Sequence, residues 1–172
     1  HYVHDVKIEQ APMWMRRRLQ HVGIGAISNI VDITNYVLKE LGQPMHAFDY
    51  ATLEGDAINV RRAAEGEKIT TLDEDELTLT TENMLICDGV KPVALAGVMG
   101  GLNSEIKETT SNVLFESAKF ARDNIRRTSR AVGKASDSSS RYAKGVDEYS
   151  TVMAMKRALH LIEELNCGKV SK

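Results

Sequence analysis

Cysteine is nearly missing: Cys87 and Cys167 are the only two in 172 residues. They are too far apart and too isolated for a CxxC pair, a zinc spacing or a disulfide framework, and a reducing compartment is the expected setting. Long apolar runs are missing as well. The longest, Pro92 to Leu102, contains three glycines and falls short of the ~20 residues needed to cross a bilayer, so no membrane span is expected. Charge of one sign is not in excess either. A formal net charge of -2 gives no global attraction to nucleic acid, so any polyanion site has to be local. The usual catalytic signatures fail: there is no HExxH, no GxSxG and no Cys with an evident His partner. The only closely spaced histidines, His1 and His4, read as a disordered terminus or an expression remnant. The chain lacks an initiator Met and a basic segment followed by an apolar one, so it reads as a piece of a longer protein.

What is present is ordinary in bulk. An apolar fraction of 42% and a charged fraction of 27% are those of a soluble globular protein. A chain of this length buries roughly two thirds of its unfolded surface, enough for one domain over 1–172 without metal or disulfide staples. Residues 1–10 are expected to be an extended or poorly ordered lead-in. Pro12 followed by Trp14, Met15 and Leu19, then Gly23, predicts a short helix with Arg16, Arg17 and Arg18 on its wet side. A second helix is predicted from Ser28 as N-cap to Leu41, with Ile30, Ile33, Val37 and Leu41 as its apolar stripe and Gly42 as its stop. Thr34 and Asn35 fall beside that stripe. From Ala57 to Leu102 the period changes to two, with short strand-like runs at Ile58–Val60, Lys68–Thr71, Leu77–Thr80, Met84–Cys87 and Pro92–Ala96. Asp88-Gly89 signals a hairpin, because glycine tolerates positive φ. Val113–Phe115 makes one more strand. Helices follow over Ala121–Val132 and Glu148–Leu165, the latter with Val152, Met155, Leu159 and Ile162 on one face. Helices, then strands, then helices predict an α+β fold and exclude alternating βαβ units.

Several polar residues are not needed by that fold. His46 follows Pro44 in a turn after a helix, where it could orient water or donate to a substrate oxygen; a structural histidine is the plain alternative. Asp32, Thr34 and Asn35, each taken alone, fit a helix surface. Gly97, Gly100 and Gly101 make a turn that a ligand could approach closely, or simply a tight turn; no phosphate loop motif is present. Glu116 is an acid in apolar company, which needs a donor partner if buried. Arg122, Arg126 and Arg130 recur every four residues and so share a helix face, fit to follow a phosphate backbone or to form a solvated charged face. Ser136 through Ser140 supply hydroxyls and an N-cap.

Five blocks of sequence, in order, carry a resemblance. They are Val31-Asp32-Ile33-Thr34-Asn35-Tyr36-Val37, Glu40-Leu41-Gly42-Gln43-Pro44-Met45-His46-Ala47-Phe48-Asp49, Ala94-Leu95-Ala96-Gly97-Val98-Met99-Gly100-Gly101, Phe115-Glu116-Ser117-Ala118, and Ser136-Asp137 through Arg141-Tyr142 with Gly145-Val146-Asp147. Together they closely resemble the central editing domain of the bacterial phenylalanyl-tRNA synthetase β subunit, over nearly the whole chain. The resemblance implies a three-layer α+β arrangement with a β-sandwich core of unusual topology. It also implies cytoplasmic localisation and a parent protein of two α and two β subunits. The implied partner is the acceptor end of tRNA(Phe), and the implied activity is hydrolysis of the ester of wrongly loaded tyrosine by a positioned water. No cofactor is implied in this domain; ATP and magnesium belong to the complete enzyme.

By match to the family's motifs, Glu116 is expected to read the tyrosyl hydroxyl. Thr34, Asn35 and His46 are expected to contact the amino acid, the terminal ribose or the attacking water. Gly97 is expected to form a floor, with Ala118, Ser136 and Ser138 lining the opposite wall; Arg122, Arg126 and Arg130 are candidates for tRNA contact. The chain departs from the family pattern at Gly25-Ala26-Ile27-Ser28, at Ser138 where Ala is common, and at Ala143 where Glu is typical. The alternative within the same family is a tRNA-positioning and subunit-scaffold domain without hydrolytic activity.

Overall fold

A computed structural model of the chain describes residues 1–55 and 57–171. In chain order its elements are β1 (Tyr2–His4), α1 (Met13–His21), α2 (Asn29–Leu41), β2 (Met45–Asp49), β3 (Asn59–Arg62), β4 (Lys68–Thr70), β5 (Glu76–Thr78), β6 (Met84–Cys87), β7 (Pro92–Leu95), β8 (Met99–Gly100), β9 (Val113–Ser117), α3 (Arg122–Ala131), α4 (Asp137–Lys144), α5 (Ser150–Glu164) and β10 (Lys169–Val170). Every strand pairing among the described residues is antiparallel. The fold is of the α+β class. No helix among the described residues is long and apolar enough to cross a membrane.

Two compact units divide the chain. The first comprises His1–Ala51, Ile106–Ala118 and the stretch from Asp147 onward, and the second comprises Thr52–Glu105 and Lys119–Val146. The first unit contains a four-stranded sheet in the order β10-β1-β9-β2. Its core is one apolar cluster in which Met15 and Leu19 of α1, Ile30, Ile33 and Val37 of α2, and Ala154, Ala158, Leu161 and Ile162 of α5 meet Val3, Ala47, Val113 and Phe115 of the sheet. Strand alternation then sets His46, Phe48, Leu114 and Glu116 on the opposite face of that sheet. Within the first ten residues β1 is held on both sides. Val3 pairs with Val113 and with Val170, and the amino group of His1 donates to the Phe115 carbonyl at 2.8 Å.

The second unit contains a sheet in the order β3-β6-β7-β8 and the separate pair β4-β5. The predicted hairpin joins β6 to β7, but its glycine is required for a different reason. Gly89 is not at positive φ; a Cβ there would come within 2.9 Å of the Glu54 carbonyl oxygen and the Gly55 Cα. Asp88 closes the turn by accepting from the backbone N–H groups of Val90 and Lys91 at 2.8 and 2.7 Å.

Three helical details also differ from expectation. Ser28 occupies the N-cap position of α2 without capping it, and its buried Oγ has no partner among the described residues. In α1, Met15 and Leu19 are buried whereas Trp14 is 37% exposed and stacks edge-on against Tyr36. In α5, Ile162 is buried and Met155 and Leu159 pack against the core as expected, but Val152 is 58% exposed, and Ala154, Ala158 and Leu161 complete the packed face. Alanine at four-residue spacing lets that helix approach the sheet closely, and its small side chain leaves little hydrophobic signal in the sequence.

Candidate functional site

The expected site residues fall into two groups, one in each unit. In the first unit the register of β2 on β9 sets His46 directly opposite Glu116. Residues so placed on an antiparallel pair project to the same side with Cβ atoms roughly 4.5–5.5 Å apart. The His46 ring lies edge-on to Phe48 at 4.5 Å between centroids. Both His46 and Glu116 are half-buried and keep some accessible surface. Burial pushes His46 down to about 4 and Glu116 up to about 7, because a low-dielectric setting disfavours the charged form of each. At neutral pH the imidazole is therefore uncharged, and the carboxyl sits near its midpoint. Among the described residues no hydrogen-bond donor or cation is paired with the Glu116 carboxyl. The donor that a buried acid calls for is not supplied by its own unit.

Thr34 and Asn35 lie on α2, which packs against β2. Asp32 and Thr34 are not helix-surface residues. Thr34 is 7% exposed and its hydroxyl donates to the Val31 carbonyl at 2.7 Å, a back-bond to the preceding turn that commits its proton. Asp32 is buried, accepts from the Ile27 N–H at 2.8 Å and leaves Oδ2 without a hydrogen-bond partner among the described residues. Burial raises its carboxyl above the ordinary value, against the pull of the Ile27 N–H and of Arg16. Asn35 is half-buried, and its amide makes no hydrogen bond among the described residues. Ala118 follows β9 directly, and its carbonyl accepts from Gln43 Nε2 at 2.8 Å.

In the second unit Gly97, Ser136 and Ser138 come together. Ser138 Oγ donates to the Gly97 carbonyl at 3.2 Å and Ser136 Oγ to the Val98 carbonyl at 2.7 Å. Ser136 caps α4 through a reciprocal pair with Ser139, whose N–H donates to Ser136 Oγ at 3.0 Å. Gly97 is at φ +67, and a Cβ there would meet Ile125, Phe120 and Tyr142 side chains at 2.9 to 3.1 Å. Its lack of a side chain is thus demanded by backbone conformation and by apolar packing, and only its backbone is available to a ligand. The hydroxyl at Ser138, where the family pattern favours Ala, is spent on the Gly97 carbonyl.

Arg122, Arg126 and Arg130 are exposed on α3; Arg126 approaches Asp123 at 3.4 Å. An open groove of about 430 Å³ in the second unit is lined by Lys68, Ile69, Thr70, Pro92, Leu102 and Asn103, none of which was expected to act. No cluster of three or more His, Cys, Asp or Glu side chains able to hold a metal forms among the described residues. Gln43 is the residue whose importance sequence reasoning missed. It appeared there only within the block from Glu40 to Asp49, and the one available signal was a long polar side chain at a position where a turn needs none.

Residues 1–167 match the B3/4 domain family. Proteins named phenylalanine–tRNA ligase beta subunit are similar along almost the whole chain. The relative from Syntrophus aciditrophicus is 52% identical over 170 residues, which are 99% of this chain and 21% of that protein. Identity is 51% for Geobacter metallireducens, over 99% of this chain and 21% of the relative. It is 53% for Oleidesulfovibrio alaskensis, over 92% of this chain and 20% of the relative. The chain spans about a fifth of the length of these curated relatives.

Proposed function

Because the chain belongs to the B3/4 domain family and corresponds to part of a phenylalanine–tRNA ligase β subunit, we propose that it hydrolyses the ester of tyrosine wrongly attached to tRNA(Phe). A synthetic site selecting phenylalanine by an apolar pocket rejects an isostere that merely adds a hydroxyl by only about a hundredfold. A second site that binds through the hydroxyl sorts by the opposite criterion. The observation that carries this function is Glu116: a half-buried carboxyl, unpaired among the described residues, beside an uncharged His46 on the face of the β2–β9 pair turned away from the unit's apolar cluster. A phenol donating to that carboxylate satisfies it. Phenylalanine would leave the acceptor unpaired at a cost of roughly 1–3 kcal/mol.

Adjacency to Glu116 puts His46 at the phenol end of the bound residue, so contact with the amino acid is the role that fits it best. A histidine held at about 4 is a weak base at neutral pH, which speaks for orientation over proton abstraction. Asn35 retains an unspent amide for the amino acid, ribose or water, whereas the Thr34 proton is committed to its own helix. Attack by a positioned water on an ester held in place needs no protein nucleophile, and orientation supplies much of the acceleration. The domain uses no cofactor of its own, with ATP and magnesium serving the complete synthetase. It acts in the cytoplasm, joined to a catalytic α subunit in an assembly of two α and two β chains, and meets the acceptor end of tRNA(Phe).

The test is release of tyrosine from Tyr-tRNA(Phe) by the parent synthetase and its Glu116→Ala and His46→Ala variants. Both variants are expected to lose deacylation; unchanged release in both removes the assignment. The exposed arginines of α3 favour a second function, tRNA positioning without hydrolysis, which predicts intact tRNA affinity dependence on those arginines and no effect of Glu116→Ala.

A further inference from the structure

We propose that Gln43 is a positioning residue that holds Glu116 in register with His46, a role that rests on the editing function proposed above. Gln43 is fully buried, and its carboxamide is engaged at both ends. Nε2 donates to the Ala118 carbonyl at 2.8 Å and to the Pro44 carbonyl at 3.1 Å, and Oε1 lies 2.7 Å from Ser150 Oγ, whose single proton is shared between it and the Asp147 carbonyl at 2.6 Å. Both amide protons are thus accounted for.

The reason for a side chain in this place lies in the strand register. Met45 pairs with Ser117 and His46 with Glu116, so one further step sets Pro44 opposite Ala118. Proline has no N–H and cannot donate across the ladder. The Gln43 amide supplies that N–H instead and adds a side-chain rung where the backbone cannot make one. Gly42, at φ +76, ends α2 and turns the chain so that Gln43 enters the interior. The same carboxamide reaches the start of α5 through Ser150, while Ser117 Oγ donates to the Thr151 carbonyl at 2.8 Å. Three elements, the end of α2, the end of β9 and the start of α5, are therefore pinned together. Glu116 lies two residues before the bonded carbonyl, and His46 lies three residues after Gln43. Without the rung the turn before β2 loses its bond to the end of β9, and the offset between the two side chains is held less closely.

Gln43→Glu keeps the acceptor for Ser150 and removes the donor to Ala118; Ser150→Ala does the reverse. In the parent synthetase Gln43→Glu is expected to lower kcat for Tyr-tRNA(Phe) deacylation by roughly 10- to 100-fold with KM within about twofold, as misplacement by about an ångström does. Ser150→Ala is expected to lower it by less than about threefold. In the 172-residue chain the His46 titration followed by NMR is expected to move from about 4 toward the ordinary 6.5 in Gln43→Glu. Gln43→Met, which keeps the shape and leaves the rung unmade, gives the same two measurements if Gln43→Glu does not fold. Wild-type kcat and an unmoved His46 midpoint in these variants overturn the proposal, as does a fall in kcat that only matches a lost folded fraction. If the parent enzyme itself releases no tyrosine, the editing function fails alone, and the His46 midpoint still decides the role of Gln43.

Discussion

The two units treat polar groups in opposite ways. In the second unit nearly every one is answered from within. Although burial pushes the Asp88 carboxyl the other way, N–H donors from Lys91, Val90 and Glu54 hold it below its ordinary value. Arg61 makes a two-pronged pair with Glu67 at 2.7 and 2.8 Å, and Lys134 bridges Asp73 and Asp75. The hydroxyls of Ser136, Ser138 and Ser139 are all engaged. The first unit is built on a continuous apolar cluster, yet on the other face of its sheet it leaves Glu116 and His46 without hydrogen-bond partners among the described residues. Buried or half-buried polar groups are ordinarily satisfied, so the exceptions carry the information. By that measure Glu116 and His46 are the side chains on which the proposed function rests most directly.

The sharpest way to break this contrast is at Gly97. Gly97→Ala places a Cβ at positive φ against Phe120, Ile125 and Tyr142, and is expected to cost on the order of 3 kcal/mol from overpacking and left-handed strain together. Urea unfolding measures it, and a loss under about 1 kcal/mol would return Gly97 to the ligand. Next comes Glu116→Ala, expected to reduce the preference for tyrosyl over phenylalanyl ester by roughly 5- to 150-fold, the equivalent of 1–3 kcal/mol.

A third experiment sharpens the contrast through pH. His46 is lowered from 6.5 to about 4, so the unfolded chain binds its proton more readily. Its contribution is present above about 6.5 and is lost as pH falls toward about 4. Glu116 is raised from 4.5 to about 7, so the folded chain binds its proton more readily, and stability falls as pH rises from about 4.5 to about 7. The two slopes oppose each other in the wild type. Glu116→Gln is expected to unmask stability that rises with pH between about 4 and 6.5, and His46→Gln stability that falls between about 4.5 and 7. Thermal unfolding across pH 4–8 reads both, and parallel profiles in the two variants would show that these side chains are not set apart by burial.

Smaller effects follow. Ser138→Ala removes one 3.2 Å bond, worth about 1 kcal/mol or less, and tyrosine release is expected to stay within threefold. Replacing Arg122, Arg126 and Arg130 by Gln is expected to flatten the slope of log tRNA affinity against log salt slightly; a large change would move weight to the scaffold function.

Local features of this chain were legible in its sequence, and pairings across long separations were not. The stripe Ile30, Ile33, Val37 and Leu41 and the stop at Gly42 predicted α2 within a residue, because helix periodicity and a left-handed C-cap are local, although Leu41 in the last turn is 37% exposed. The β6–β7 hairpin was legible from Asp88-Gly89, but the cause of the glycine was not, since Glu54 and Gly55 approach from more than thirty residues away. β1 was hidden because three residues carry little pattern and its partners lie at Val113, Leu114, Lys169 and Val170. At the candidate site the residue types stood out, Glu116 and His46 among them, as polar groups unexplained by packing. That they face each other depends on a register spanning seventy residues, and that Thr34 has spent its proton depends on a rotamer; neither is written in a motif.

The position of β1 also bears on how the chain reaches this state. Its two neighbours, β9 and β10, emerge from the ribosome more than a hundred residues later. At synthesis rates of about 5–20 residues per second, Tyr2–His4 waits roughly 5 to 20 s for its first permanent partner. A strand of only three residues, preceded by His1 and ended by His4, offers a poor template to other nascent chains during that interval.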